Sequence, residues 1–176
     1  MSRPGSTSSS PSSRHLVIGN GAQTMWIKMR WEANLINSAH EARPVDAIAL
    51  MFAAINFAIT ARSLEDWVQK ELHRRNKGRG FNAKVYREEV STAVPMQPAF
   101  RDIANTAKHG DYREENWLGG TVELVHTPGM AGTEREFVLI YHSDAVVAYT
   151  SLDMFDQATS DWLRLLNAKN LLTPGF

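Results

Sequence analysis

Arg101, Asn105 and His109 are the residues whose types and spacing best suit chemistry in this chain. They lie in the segment Arg101-Asp-Ile-Ala-Asn-Thr-Ala-Lys-His109-Gly110, which reads as helix. At 3.6 residues per turn the three fall within about 80° of one another, on one stripe. A guanidinium there can grip a phosphate or carboxylate through two parallel hydrogen bonds. An amide can orient the bound group. An imidazole titrating near neutrality can take or give a proton. With RNA as substrate, a base that activates the 2′-hydroxyl requires neither a metal nor a covalent intermediate. Arg101, Asn105 and His109 are therefore the candidate catalytic set. The same residues also read as a plain helix end, because Lys108 and His109 complement the negative helix pole and Gly110 stops the helix. That pole disfavours an anion, so a phosphate at this end needs both Lys108 and Arg101.

A second candidate is the basic stretch His73-Arg74-Arg75-Asn76-Lys77-Gly78-Arg79-Gly80, which contains no acid. Arg74, Arg75, Lys77 and Arg79, with Lys108, are the candidate nucleic-acid contacts; the alternative is a helix C-terminus and a solvated loop. His126 and His142, with Asp144, fall on or beside neighbouring predicted strands. No His-x-His or His-Glu-x-x-His spacing accompanies them, so no metal is expected. Phosphate-loop, dinucleotide-loop and nucleophile-elbow motifs are absent, and no cofactor is expected.

These residues must be positioned by the elements around them. A helix is predicted over about 22–41, where Trp26, Met29, Ala33 and Ile36 recur at helical spacing, with Ile27, Trp31 and Leu35 widening the apolar surface. Pro44 begins a second helix reaching about Arg75, roughly 45 Å long and central to the fold. Its apolar stripe is read as Ile48, Phe52, Ile55 and Ile59, continued by Leu64, Trp67, Val68 and Leu72. Asn82 caps a short helix to Val90, and Pro98 opens the helix carrying Arg101 to His109, docked through Phe100, Ile103 and Ala107. Alternation then predicts strands at 119–126, 136–141 and 145–149, forming an antiparallel meander. Ser151 or Asp153 caps a last helix whose Phe155, Trp162, Leu165 and Leu166 face inward. Trp26, Trp31, Trp67 and Trp162 are read as core or interface anchors, and Trp117 as a loop residue. The expected fold is α+β: a mainly helical bundle with a long central helix, a three-stranded meander and a C-terminal helix. Residues 1–14, rich in Ser and Pro, read as a disordered tail before a single domain over 15–176.

Composition sets the outer bounds. The 176 residues balance 19 Lys+Arg against 19 Asp+Glu, which argues against a dedicated DNA-coating protein but not against a local basic patch. There is no cysteine, which excludes disulfides, thiolate nucleophiles and cysteine-bound zinc and points to a reducing cytoplasm. No signal peptide is evident, and the apolar run Ala47–Ala61 reads as a core helix rather than a membrane span.

The arrangement of Arg101, Asp102, Asn105 and His109 on a late bundle helix resembles the HEPN superfamily, over roughly Trp26 to His109. The resemblance implies a homodimer in which two copies of the Arg–His helix form a metal-independent ribonuclease site, or a non-catalytic binding relative. The seven residues between Arg101 and His109 exceed the family's usual spacing, and a β-meander is not a standard HEPN element. The block 101–109, with the strand–turn–strand and Trp-containing helix after it, also resembles bacterial proteins with no assigned activity. The expected function is thus a dimeric RNA-binding or RNA-cleaving protein. The alternative is a non-catalytic domain that binds a protein partner.

Overall fold

A computed structural model describes residues 21–42, 46–77, 79–109, 121–127, 136–142, 147–150 and 153–173. Among them are five helices: α1 (Gly21–Glu41), α2 (Ala47–Arg75), α3 (Ala83–Ala93), α4 (Gln97–His109) and α5 (Asp153–Ala168). Their ends follow local chemistry. The Asp46 carboxylate accepts the Ala49 N–H at 2.9 Å, placing the N-cap two residues after Pro44. Asn82 accepts from Lys84 and Val85 at the start of α3. At the C-terminus of α2 the Asn76 N–H bonds the Leu72 carbonyl, and Lys77 takes a left-handed φ of 49°.

α2 is the centre of the bundle. It packs along α1 on one side and α4 on the other, and α1 also meets α5. Phe57 of α2 makes edge contacts with Phe100 of α4 and Phe155 of α5, at centroid distances of 5.2 and 5.0 Å. Each such buried ring contributes about 1.5–3 kcal/mol by transfer from water. Trp26 of α1 donates its indole N–H to the Thr159 carbonyl of α5 at 3.1 Å, so the first and last helices are tied by a directed bond.

The expected α+β fold is corrected by this packing. The body is all helical: every core residue among those described lies on the five helices or in the short segments flanking them. The physical reason is that the helices satisfy one another's apolar stripes. Met29, Phe57, Phe100 and Trp162 meet at the centre with essentially no exposure, and no sheet layer is needed to cover them. Backbone segments β1 (Thr121–Thr127), β2 (Glu136–His142) and β3 (Val147–Thr150) pair with one another in the order β1-β2-β3, with Leu124 opposite Leu139 and Ile140 opposite Tyr149.

A second correction concerns α2. Ile48, Phe52 and Ile59, read from sequence as its inward stripe, are 65%, 56% and 39% exposed. The inward face keeps the expected Leu64 and Val68, but over the first half of the helix it is Leu50, Ala53, Ala54, Phe57, Ala58 and Ala61. Alanine on that face lets the neighbouring helices approach closely, so α2 turns its small side chains in and several of its large ones out. Trp31 and Trp67 are likewise 58% and 38% exposed, whereas Trp26 and Trp162 are buried. Residues 1–20, Pro44, Trp117 and Asp144 lie outside the described residues, as does the expected tail.

Candidate functional site

Arg101 does not face an open stripe. Its Nε donates to one oxygen of Glu65 at 2.7 Å and its Nη2 to the other at 2.8 Å, a bidentate pair between α4 and α2. Nη1 donates to Ser91 Oγ at 3.2 Å, and Nη2 also approaches the Arg87 carbonyl at 3.4 Å. The Glu65 side chain is fully buried and that of Arg101 only 19% exposed. Gln97, also fully buried, donates to Glu65 at 3.0 Å and to the Ala61 carbonyl at 3.1 Å, and accepts the Trp162 indole N–H at 3.0 Å. Tyr86 donates its hydroxyl to the Glu65 carbonyl at 3.1 Å. Burial, with the Glu65 charge next, raises the Tyr86 phenol far above its ordinary range.

The network joins α2, α3, α4 and α5 at one point. Its chemistry is structural: the guanidinium is committed to an internal carboxylate, and a phosphate would have to displace that pair. Asn105, one turn along α4, is half-buried, and Lys108 is exposed. His109 is the last residue of α4, and its side chain lies outside the described residues. Ile103 and Phe100 dock the helix as expected, but Ala107 is exposed. Sequence reasoning missed Glu65 and Gln97, which lie 36 and four residues from Arg101 and carry no motif.

The basic stretch is divided between two roles. Glu71 accepts from Arg74 Nε and Nη2 at 3.0 and 2.7 Å and from Arg75 Nε at 2.9 Å. The bonds from Arg74, then Arg75, hold the Glu71 carboxyl down to about 2. Arg75 Nη1 also reaches the Asn170 carbonyl at 3.0 Å, beyond the C-terminus of α5, where a cation complements the helix pole. Lys77 and Arg79 are exposed. Glu65 and Arg75 are ten residues apart on one helix, about 15 Å along its axis, so the Arg101 network and the basic end are separate places. No group of His, Asp and Glu suited to a metal occurs among the described residues.

The most unusual surface is on the outside of the α1–α2 hairpin. Gly21 sits against Trp67, where an added Cβ would lie 3.3 Å from the ring, and Lys28 Nζ bonds Thr60 Oγ1. Both pairs are seven residues apart along their helices, so the hairpin is antiparallel and in step. That register sets Trp31 level with residue 57, between Ile55 and Ile59, and Leu35 level with residue 53, beside Phe52. On each helix the exposed residues form one stripe: Ile27, Trp31 and Leu35 on α1, and Ile48, Phe52 and Ile59 on α2. Each stripe lies on the side of its helix opposite the buried residues. α2 is long and apolar enough to cross a bilayer by length and composition, and 44% of its most apolar stretch is buried in the fold. The sequence signal for the outward face was available: the run from Ala47 to Ala61 is apolar on nearly every side, more than one buried face requires.

No protein-family model matches the chain, and no curated protein or solved structure matches it significantly.

Proposed function

We propose that the chain is a non-catalytic helical module that works by self-association, the outer face of its α1–α2 hairpin seating on the same face of a second copy. The observation that carries this reading is the exposure of six large apolar side chains on the two helices, Ile27, Trp31, Leu35, Ile48, Phe52 and Ile59, each 38–65% exposed. Together they present on the order of 500 Å² of apolar side chain, against about 800 Å² per partner in a standard interface. A second copy suits the face in charge as well as in area. The α2 part of the face, 48–59, carries no ionisable residue; on α1, Lys28 is paired with Glu32 and Arg30 lies over Trp26; and the chain's net charge is zero, so two copies meet without long-range repulsion. Two hairpins stacked this way make a four-helix arrangement with one apolar centre. The commitment of Arg101 to Glu65 supports this reading over RNA cleavage, because it removes the guanidinium a phosphate would need.

Sedimentation equilibrium tests the proposal. The wild type is expected to be dimeric at micromolar concentration, and Trp31→Glu and Phe52→Glu monomeric, with unchanged helical circular dichroism. A wild type that stays monomeric at 100-fold higher concentration, or that partitions onto phosphatidylcholine vesicles instead of dimerising, would overturn it. Cleavage of single-stranded RNA or tRNA in the presence of chelator, lost in His109→Ala, would overturn the non-catalytic part.

A further inference from the structure

We propose that the cavity between the start of α1 and the end of α2 binds a nucleoside 5′-phosphate. The cavity holds about 660 Å³, within the range of small-ligand sites. Its walls come from three places distant in sequence: Gly21 to Gln23, the α2 residues Trp67, Lys70, Glu71, Arg74 and Arg75, and the segment 170–173 after α5. Thr173 donates its N–H to buried Gln23 at 3.1 Å, closing the wall between the first and last of these.

The lining divides into an aromatic part and a cationic part. Trp67 presents an indole that is 38% exposed, and an aromatic base stacks on such a ring irrespective of its sequence. Lys70 Nζ lies 6.0 Å from the centre of that ring. Arg74 and Arg75 lie one turn further on. Both are held by Glu71, which uses Nε and Nη2 of Arg74 and Nε of Arg75. Among the described residues, Arg74 Nη1, Arg75 Nη2 and Lys70 Nζ engage no protein acceptor. Three cations against one carboxylate line the cavity and offset the negative C-terminal pole of α2 beside it, on a chain of zero net charge. Glu71 thereby orients the guanidiniums, and the donors left over suit a phosphate's several oxygens. The first turn of α1, Gly21 to Gln23, lines the same space, and a helix N-terminus adds a partial positive charge. Gly21 makes this approach feasible: its φ is +49°, and a side chain there would crowd Trp67. A base on Trp67 with its 5′-phosphate among Lys70, Arg74 and Arg75 uses both parts at once. The shared chemistry belongs to a free mononucleotide and to the 5′ end of an RNA alike.

Calorimetric titration of the full chain with AMP, adenosine, inorganic phosphate and a short oligoadenylate with or without a 5′-phosphate tests the site. AMP is expected to bind saturably and at least tenfold more tightly than adenosine or phosphate alone. Lys70→Glu and Arg74→Glu, both at exposed positions, are expected to weaken AMP at least tenfold, and Trp67→Leu to reduce its advantage over inorganic phosphate. Tighter binding of the 5′-phosphorylated oligonucleotide than of AMP, with the same loss in the variants, assigns the RNA end as the source; equal or weaker binding assigns the free nucleotide. Absence of saturable AMP binding overturns the proposal. So does AMP binding that the charge reversals leave unchanged, or equal affinity for AMP and inorganic phosphate. Dimerisation is read by sedimentation, so failure there leaves this result standing, and the reverse holds too.

Discussion

Each face of α2 carries one feature that a surface helix does not usually offer there. Facing inward is Glu65, a fully buried carboxylate bound to Arg101 and Gln97. Facing outward are Ile48 and Phe52, 65% and 56% exposed. Glu65 and Gln97 find their hydrogen-bond partners within the fold, whereas Ile48 and Phe52 stay exposed among the described residues. Chemistry-capable residue types at the inner face thus serve to hold four helices in register. The outer face, which carries no reactive group, is the one that calls for a partner. Residue type alone would assign the roles the other way round.

This contrast is broken most severely at Glu65. Glu65→Ala leaves the Arg101 guanidinium largely buried without its acceptor and is expected to cost about 3–5 kcal/mol, read by urea denaturation. The double variant Glu65→Leu with Arg101→Met is expected to lie well above either single change, since no charge is then stranded. A double variant as unstable as the sum of the singles would argue that the pair is more than a structural lock.

Tyr86→Phe removes one bond to the Glu65 carbonyl and is expected to cost about 1 kcal/mol. It also changes the alkaline limb. The folded state raises the phenol's pKa, so its contribution is fully present below pH 10 and is lost progressively as pH rises above that value. Thermal denaturation at pH 9 and 11 should show the wild type losing more stability than Tyr86→Phe over that interval.

Asp46→Ala removes the N-cap of α2 without touching either face and is expected to cost about 1 kcal/mol. It calibrates what a purely local signal contributes. On the outer face, Phe52→Glu is expected to change the folding stability of the monomer by no more than about 0.5 kcal/mol while abolishing the dimer, measured under conditions where both proteins are monomeric. A loss comparable to that of Glu65→Ala would mean that this face is part of the core after all.

The smallest effect lies at the end of α2. Arg74 and Arg75 depress the Glu71 carboxyl from 4.5 to about 2 in the folded state. Its contribution is present above the ordinary carboxylate value and fades as pH falls from about 4.5 through 2. Because the group is partly exposed, solvent screening keeps it small. Glu71→Gln should flatten the acid limb of a denaturation-versus-pH curve in that window and leave the neutral plateau nearly unchanged.

Local chemistry made the helices legible. Asn82 announces a helix start through a side chain that accepts from N–H groups two and three residues on, and Trp26, Met29, Ala33 and Ile36 declare an inward stripe by spacing alone. The final helix was equally readable, since Phe155, Trp162, Leu165 and Leu166 all point into the core. The α2 stripe was not. Alanine and large aliphatic residues occupy both of its sides, so periodicity offers two answers, and only the approach of α1 and α4 selects the alanine face. The partner of Arg101 was illegible for a related reason. Spacing correctly put Arg101 and Asn105 on one helix, yet the partner that decides what Arg101 does is Glu65, 36 residues away on another element.

The sequence by itself thus determined where helices begin, end and repeat, because caps and apolar periodicity act within a few residues. Tertiary structure alone decided which side of α2 is inside, that Arg101 pairs with Glu65, and that Trp67, Lys70, Arg74 and Arg75 share a cavity with Gly21. Those outcomes depend on packing and charge pairing between segments far apart in the chain, and no local pattern encodes them.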